Sequence, residues 1–126
     1  MNYRPLRLSA TVLLTLTAAA APADEAPQYR NPGEMTVEER SAIMQRVNDY
    51  NTCVFRESMA RVDALPDIRQ AADEGLGACK ASLDAVREEI LGCGFEPAFA
   101  EQFARHSQNR AVHRLIPELS LRKGGR

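Results

Sequence analysis

The chain has no tryptophan, only two histidines and three cysteines, and aromatic residues make up 6% of its 126 positions. Each shortage closes off a class of reading. There is no Cys-x-x-Cys, so neither a thioredoxin-type dithiol nor a haem attachment motif is present. Ser41, Ser58, Ser82, Ser107 and Ser120 lack a Gly-x-Ser-x-Gly elbow, and the glycines form no phosphate loop. After the first 23 residues no apolar run approaches the roughly 20 residues that a bilayer crossing needs. Strand-like alternation and internal repeats are also missing.

What is present begins with an export signal. Arg4 and Arg7 give a positive start, Leu8 to Ala21 is a 14-residue stretch without charge, and Ala21-Pro22-Ala23 has the small-x-small form of a cleavage site. Residues 1–23 are therefore expected to be a cleaved signal peptide. Ser9, Thr11, Thr15 and Thr17 make the stretch too short and too polar for a membrane anchor. No cysteine for a lipid anchor sits near the cut, and there is no Arg-Arg pair. The expected location is outside the cytoplasm, in the manner of a bacterial periplasmic protein. The remaining 103 residues suffice for one domain.

Charge is unevenly spread. Asp24 to Ala100 holds 8 Lys and Arg against 15 Asp and Glu; Glu101 to Arg126 holds 6 against 2. An acidic body with a basic end does not suit general nucleic-acid binding, which needs a basic domain. The split leaves intramolecular attraction, an acidic partner or an anionic lipid surface as uses for the basic end.

Helical signals organise the body. Residues 24–35, with Pro27, Pro32 and Gly33, are expected to be a flexible leader, residues 36–120 the helical domain, and residues 121–126 a loose basic tail. Thr36-Val37-Glu38-Glu39 fits a capping box, and Ile43, Val47, Tyr50 and Val54 follow at spacings of four, three and four, predicting a first helix to about Val62. After a turn at Asp63 to Pro66, a second helix is expected from near Pro66. Ile68, Ala72, Gly75, Cys79, Leu83, Val86 and Ile90 lie along one of its faces, with a weak point at Gly75-Leu76-Gly77. Gly92-Cys93-Gly94 supplies the stop. A third helix opens at Pro97. Phe99 and Phe103 point one way and Val112, Leu115 and Ile116 another, which predicts a bend or two short helices about His106 to Arg110, with Pro117 ending the pattern. The fold expected is all-α: a small antiparallel bundle of three to four helices with a disulfide-linked hairpin.

Hairpin arithmetic ranks the cysteine pairs. A disulfide needs Cα atoms within about 7 Å. Cys79 and Cys93 on one continuous helix stand roughly 21 Å apart, and Cys53 and Cys93 lie at very unequal distances from the turn. Cys53 and Cys79 differ by only about one helical turn, or roughly 6 Å, so they are the expected bond, contributing about 3.5 kcal/mol by loop entropy. Cys93 is left as a free, accessible thiol: an incidental one, a link between two copies of the chain, or a redox centre.

Arg105, His106, Arg110, His113 and Arg114 define an expected basic face on the last helix. The two histidines are about 10.5 Å apart along a straight helix, too far to share one metal ion, so no metal or other cofactor is expected. Glu38-Glu39, Asp73-Glu74 and Glu88-Glu89 are adjacent pairs whose side chains diverge on a helix, and they read as solvated faces. The reading that follows is a non-enzymatic exported protein of the bacterial envelope that binds another protein, or itself as a homodimer through Cys93. Two alternatives stay open: a small periplasmic redox or metal-handling protein using Cys93 or the histidines, and a periplasmic stress chaperone that opens in acid.

Overall fold

In the computed structural model, Ala19 and residues 26–125 are described. The signal peptide expected over residues 1–23 lies outside the described residues, Ala19 apart. Helix α1 (Val37–Arg61) starts where the capping box places it. The Thr36 hydroxyl accepts the Glu39 amide at 3.1 Å, and the Glu39 carboxylate accepts the Thr36 amide at 3.0 Å. These reciprocal bonds satisfy amides that the first turn leaves without a helical partner. The stripe Ile43, Val47, Tyr50 and Val54 is buried and continues through Ser58 to Val62.

Helix α2 (Ile68–Ala78) starts two residues beyond Pro66, because Asp67 takes the N-cap and accepts the Arg69 amide at 2.9 Å. The break in the second stripe falls at Cys79 and not at Gly75-Leu76-Gly77. Gly75 stays helical and buried because it packs directly on Ser58 of α1, where a side chain would collide. Cys79 leaves helical geometry at φ −104° and ψ 15°, and its amide is shared by the Gly75 and Leu76 carbonyls at 3.2 Å each. Helix α3 (Lys80–Gly92) resumes at once and buries Leu83, Val86 and Ile90. Gly94, at φ +87°, makes the left-handed turn out of α3.

Helix α4 (Pro97–Gly124) is one unbroken helix of 28 residues, which corrects the expectation of two short helices about His106 to Arg110 and the expected stop at Pro117. Its buried stripe is Ala100, Ala104, Ser107, Ala111, Leu115 and Leu119, at helical spacings of four, three, four, four and four. The larger Phe99, Phe103 and Ile116 flank this stripe, half-buried, so a reading weighted by size misjudges the axis. Pro117 is exposed; the helix loses the amide that would have reached the His113 carbonyl, on a side open to water. The tail expected to be loose from residue 121 is helical through Gly124 and docks on the hairpin. Arg122 pairs with Asp63 at 3.1 Å, and the Lys123 ammonium donates to the Leu65 and Val62 carbonyls at the end of α1. Positive charge there also opposes the negative end of the helix dipole.

The architecture is an all-helical bundle, with four helices and no strand among the described residues. The kinked α2–α3 unit runs back along α1. Helix α4 then returns parallel to α1, lying mainly on α3 and α2 and more lightly on α1. That light contact leaves a trough between α1 and α4.

Candidate functional site

Cys53 of α1 and Cys79 at the kink are joined as a disulfide, with Cα atoms 5.9 Å apart. The hairpin turn near Asp63 brings them level, and the break at Cys79 absorbs the remaining offset. Cys93 is free but only half-exposed, and it packs against the core, so it is less accessible than its glycine neighbours suggest. Burial pushes its thiol pKa up, and the charges of Glu39 and Glu89 push the same way against Arg30. A thiol so placed stays protonated at neutral pH and is a poor nucleophile.

Arg30 ties three segments together. Its guanidinium donates to Glu39 at 2.6 and 3.2 Å, to the Cys93 carbonyl at 2.7 Å and to the Glu34 carbonyl at 3.2 Å, and it lies 5.0 Å from the centre of the Phe95 ring. Its own amide donates to Gly94 O at 3.0 Å. The segment expected to be a flexible leader is thus pinned from Arg30 onward, followed by a single helical turn at Pro32–Glu34. The Arg30 hydrogen bond, and then the Thr36 amide, hold the Glu39 carboxyl at a pKa of about 2. A contact spanning 63 residues of chain leaves no local signal by which sequence reasoning could have found it.

The trough between α1 and α4 holds two hollows. One hollow of about 630 Å³ lies over Val54, Ala111 and Leu115, with Phe55, Arg56 and Arg114 at its edges. A second, of about 280 Å³, lies over Val47 and Phe103, edged by Met44, His106 and Arg110. Asn51 and Arg114 border both, so the two adjoin. The α1 wall is Met44, Asn48, Asn51 and Phe55, a second stripe at spacings of four, three and four beside the buried one. Met44 and Phe55 remain 44% and 46% exposed. Together with the floor of Val47, Val54, Ala111 and Leu115 they give the trough a partly apolar surface, and contiguous apolar surface is what marks interaction sites. The stripe has helical spacing in the sequence, but two asparagines at its middle mask it as a polar face.

The expected basic face divides between two places. His106, Arg110 and Arg114 border the trough. His113 faces a different hollow, against Arg69 and Asp73 of α2, beside Val112, Ile116 and Pro117. Arg105 borders neither and lies near Glu101, whose carboxyl is held low chiefly by its bond to Arg87. The histidines are therefore not brought together. Among the described residues no group of three or more His, Cys, Asp or Glu is arranged to hold a metal ion, and no helix is long and apolar enough to cross a membrane. The chain matches no protein-family model, no curated protein and no solved structure in the comparisons made.

Proposed function

We propose that this is an exported, non-enzymatic interaction protein of the bacterial envelope, periplasmic in location, which receives another protein in the α1–α4 trough. The observation that carries the reading is the trough itself: an apolar floor, two large apolar side chains held half-exposed at its ends, and arginines along one wall. The export part rests on the residues of the N-terminus alone. The redox alternative is disfavoured by the raised Cys93 thiol, which lacks the electropositive setting of a reactive cysteine. The acid-opening chaperone gains no separate support: arginine or lysine partners hold Glu39, Glu57, Asp84 and Glu101 below the usual carboxylate range, so acid removes part of the stability as it does in any ion-paired fold.

The test is capture from envelope extracts with three forms of the tagged protein: wild type, Phe55→Asp in the trough, and Leu91→Asp on the exposed side of α3. The reading expects one protein that co-purifies with wild type and Leu91→Asp and is lost with Phe55→Asp, together with a mature N-terminus at or near Asp24. Capture that survives Phe55→Asp, or retention of Met1, overturns the corresponding part.

A further inference from the structure

Resting on the reading of the trough as a docking face, we infer that its occupant is an acidic amphipathic helix of a second protein, anchored at two apolar positions eleven residues apart with carboxylates between them. Three features point there. The first is length. Met44 and Phe55 are eleven residues apart on α1, which is three helical turns and roughly 16 Å. A helix laid beside α1 and α4 repeats that period, so two apolar residues eleven apart on one of its faces meet the two hollows together. Helix-in-groove recognition works through such spaced anchors on a single face.

The second feature is charge. Arg30, Arg46, Arg61, Arg87 and Arg122 each have a carboxylate partner in another helix or segment, or one turn away. Arg110 and Arg114, midway along the trough, have no ion pair among the described residues, and Glu118 at one end is the only acidic residue bordering either hollow. Arg40, Arg69 and Arg105 also stand without an ion pair among the described residues; what distinguishes Arg110 and Arg114 is their place beside an apolar hollow with no carboxylate at its middle. The opposite wall offers Asn48 and Asn51, neutral groups able to hydrogen-bond carboxylates without repelling them. Carboxylates at the middle of the incoming helix supply the missing partners, and such complementarity selects partner and register.

The third feature excludes a second copy of this chain seated face to face. A two-fold interface brings the same patch of each copy together. Here that sets Arg110 and Arg114 of one copy against either the same arginines or Asn48 and Asn51 of the other, so a second copy brings no carboxylate to the middle of the trough.

Selection of displayed helices tests this. A phage library of roughly 16-residue helical peptides, randomised on one face, is panned against the purified exported protein. The expected winners carry two apolar residues eleven apart and Asp or Glu between them. Their affinity falls about tenfold or more on Arg110→Glu/Arg114→Glu, and also on raising salt from about 0.05 to 0.5 M. Both variants change exposed groups, and an unchanged circular dichroism spectrum confirms that they fold. Winners that lose binding on Phe55→Asp but show no acidic excess overturn the inference and leave the docking face standing. Winners indifferent to Phe55→Asp overturn the docking face as well. If no helix is selected, the inference fails; binding of phosphatidylglycerol vesicles that Arg110→Glu/Arg114→Glu abolishes then assigns the trough to anionic lipid.

Discussion

Gly75 and Gly77 are two residues apart in α2, yet alanine should act in opposite directions at the two positions. A Cβ at Gly75 falls 1.9 Å from the Ser58 hydroxyl oxygen and 3.0 Å from both the Cβ and the amide nitrogen of Ser58. Rotating the hydroxyl relieves only the first contact. The other two involve atoms fixed to the α1 backbone, and α1 and α2 are held together four residues further on by the Cys53–Cys79 bond. Overpacking of this kind costs about 1–3 kcal/mol, and the backbone contact argues for the upper part of that range. Against it stands the gain of about 1 kcal/mol from replacing a helical glycine with alanine. The expected net loss for Gly75→Ala is about 2 kcal/mol, or on the order of 10 °C in melting temperature for a domain of about 100 residues. At Gly77 a Cβ meets nothing within 4 Å, so only the helix gain remains and Gly77→Ala should stabilise by about 0.5–1 kcal/mol. Urea unfolding followed by helical circular dichroism measures both. Ser58→Gly should rescue Gly75→Ala with a coupling above about 1 kcal/mol, since it removes the Cβ and hydroxyl that the new methyl meets. A Gly75→Ala protein as stable as Gly77→Ala, or no coupling to Ser58, would refute the close α1–α2 contact.

Four further outcomes are expected. Cys53→Ser should cost about 2–5 kcal/mol in urea unfolding under oxidising conditions, and mapping of non-reduced peptides should find Cys53 with Cys79; a loss within error would contradict a native bond. Lys123→Ala should lower stability by about 0.5–1 kcal/mol in the same assay, because the ammonium caps carbonyls at the end of α1; no change would show that the tail does not dock. Glu39 has a lowered folded-state pKa, so its contribution is full above the ordinary carboxylate range and is lost as pH falls from about 4.5 toward 2. The acid side of the stability curve should flatten over that window in Glu39→Gln, and an unaltered curve would remove the Arg30 clasp from the account. Cys93 should react with Ellman's reagent at pH 7.5 more slowly than free cysteine, accelerating toward alkaline pH; a faster reaction would reopen the redox reading.

Much of the fold was legible because its signals are local. The capping box, the α1 stripe and the left-handed glycine after Cys93 each depend on residues within one or two turns. The disulfide followed from helix rise and the position of one turn. Helix α4 was misread for a physical reason. Its core stripe is mostly alanine, with Ser107 among them, and these small residues are buried because they let α4 approach α3 and α2 closely. The large residues that draw attention lie at the stripe's edges. Pro117 is tolerated because the carbonyl it deprives is on an exposed side. The kink was misplaced because glycine flexibility suggested Gly75-Leu76-Gly77, whereas Gly75 is needed as a flat contact for Ser58. The Arg30 clasp, the Lys123 cap and the trough join residues tens of positions apart, and no single-helix pattern encodes them. Of the site, Arg110, Arg114 and His106 were recognised as basic, but their placement opposite Met44 and Phe55 needed the parallel pairing of α1 with α4.

The central claim is that partners dock between α1 and α4. The most direct measurement is amide chemical-shift mapping on isotope-labelled protein titrated with the partner captured from the envelope. The account expects the largest changes along Met44 to Phe55 and Phe103 to Glu118, with α2 and α3 nearly silent. Changes centred on Arg69 to Gly92 or on Cys93, with the trough unmoved, would contradict it.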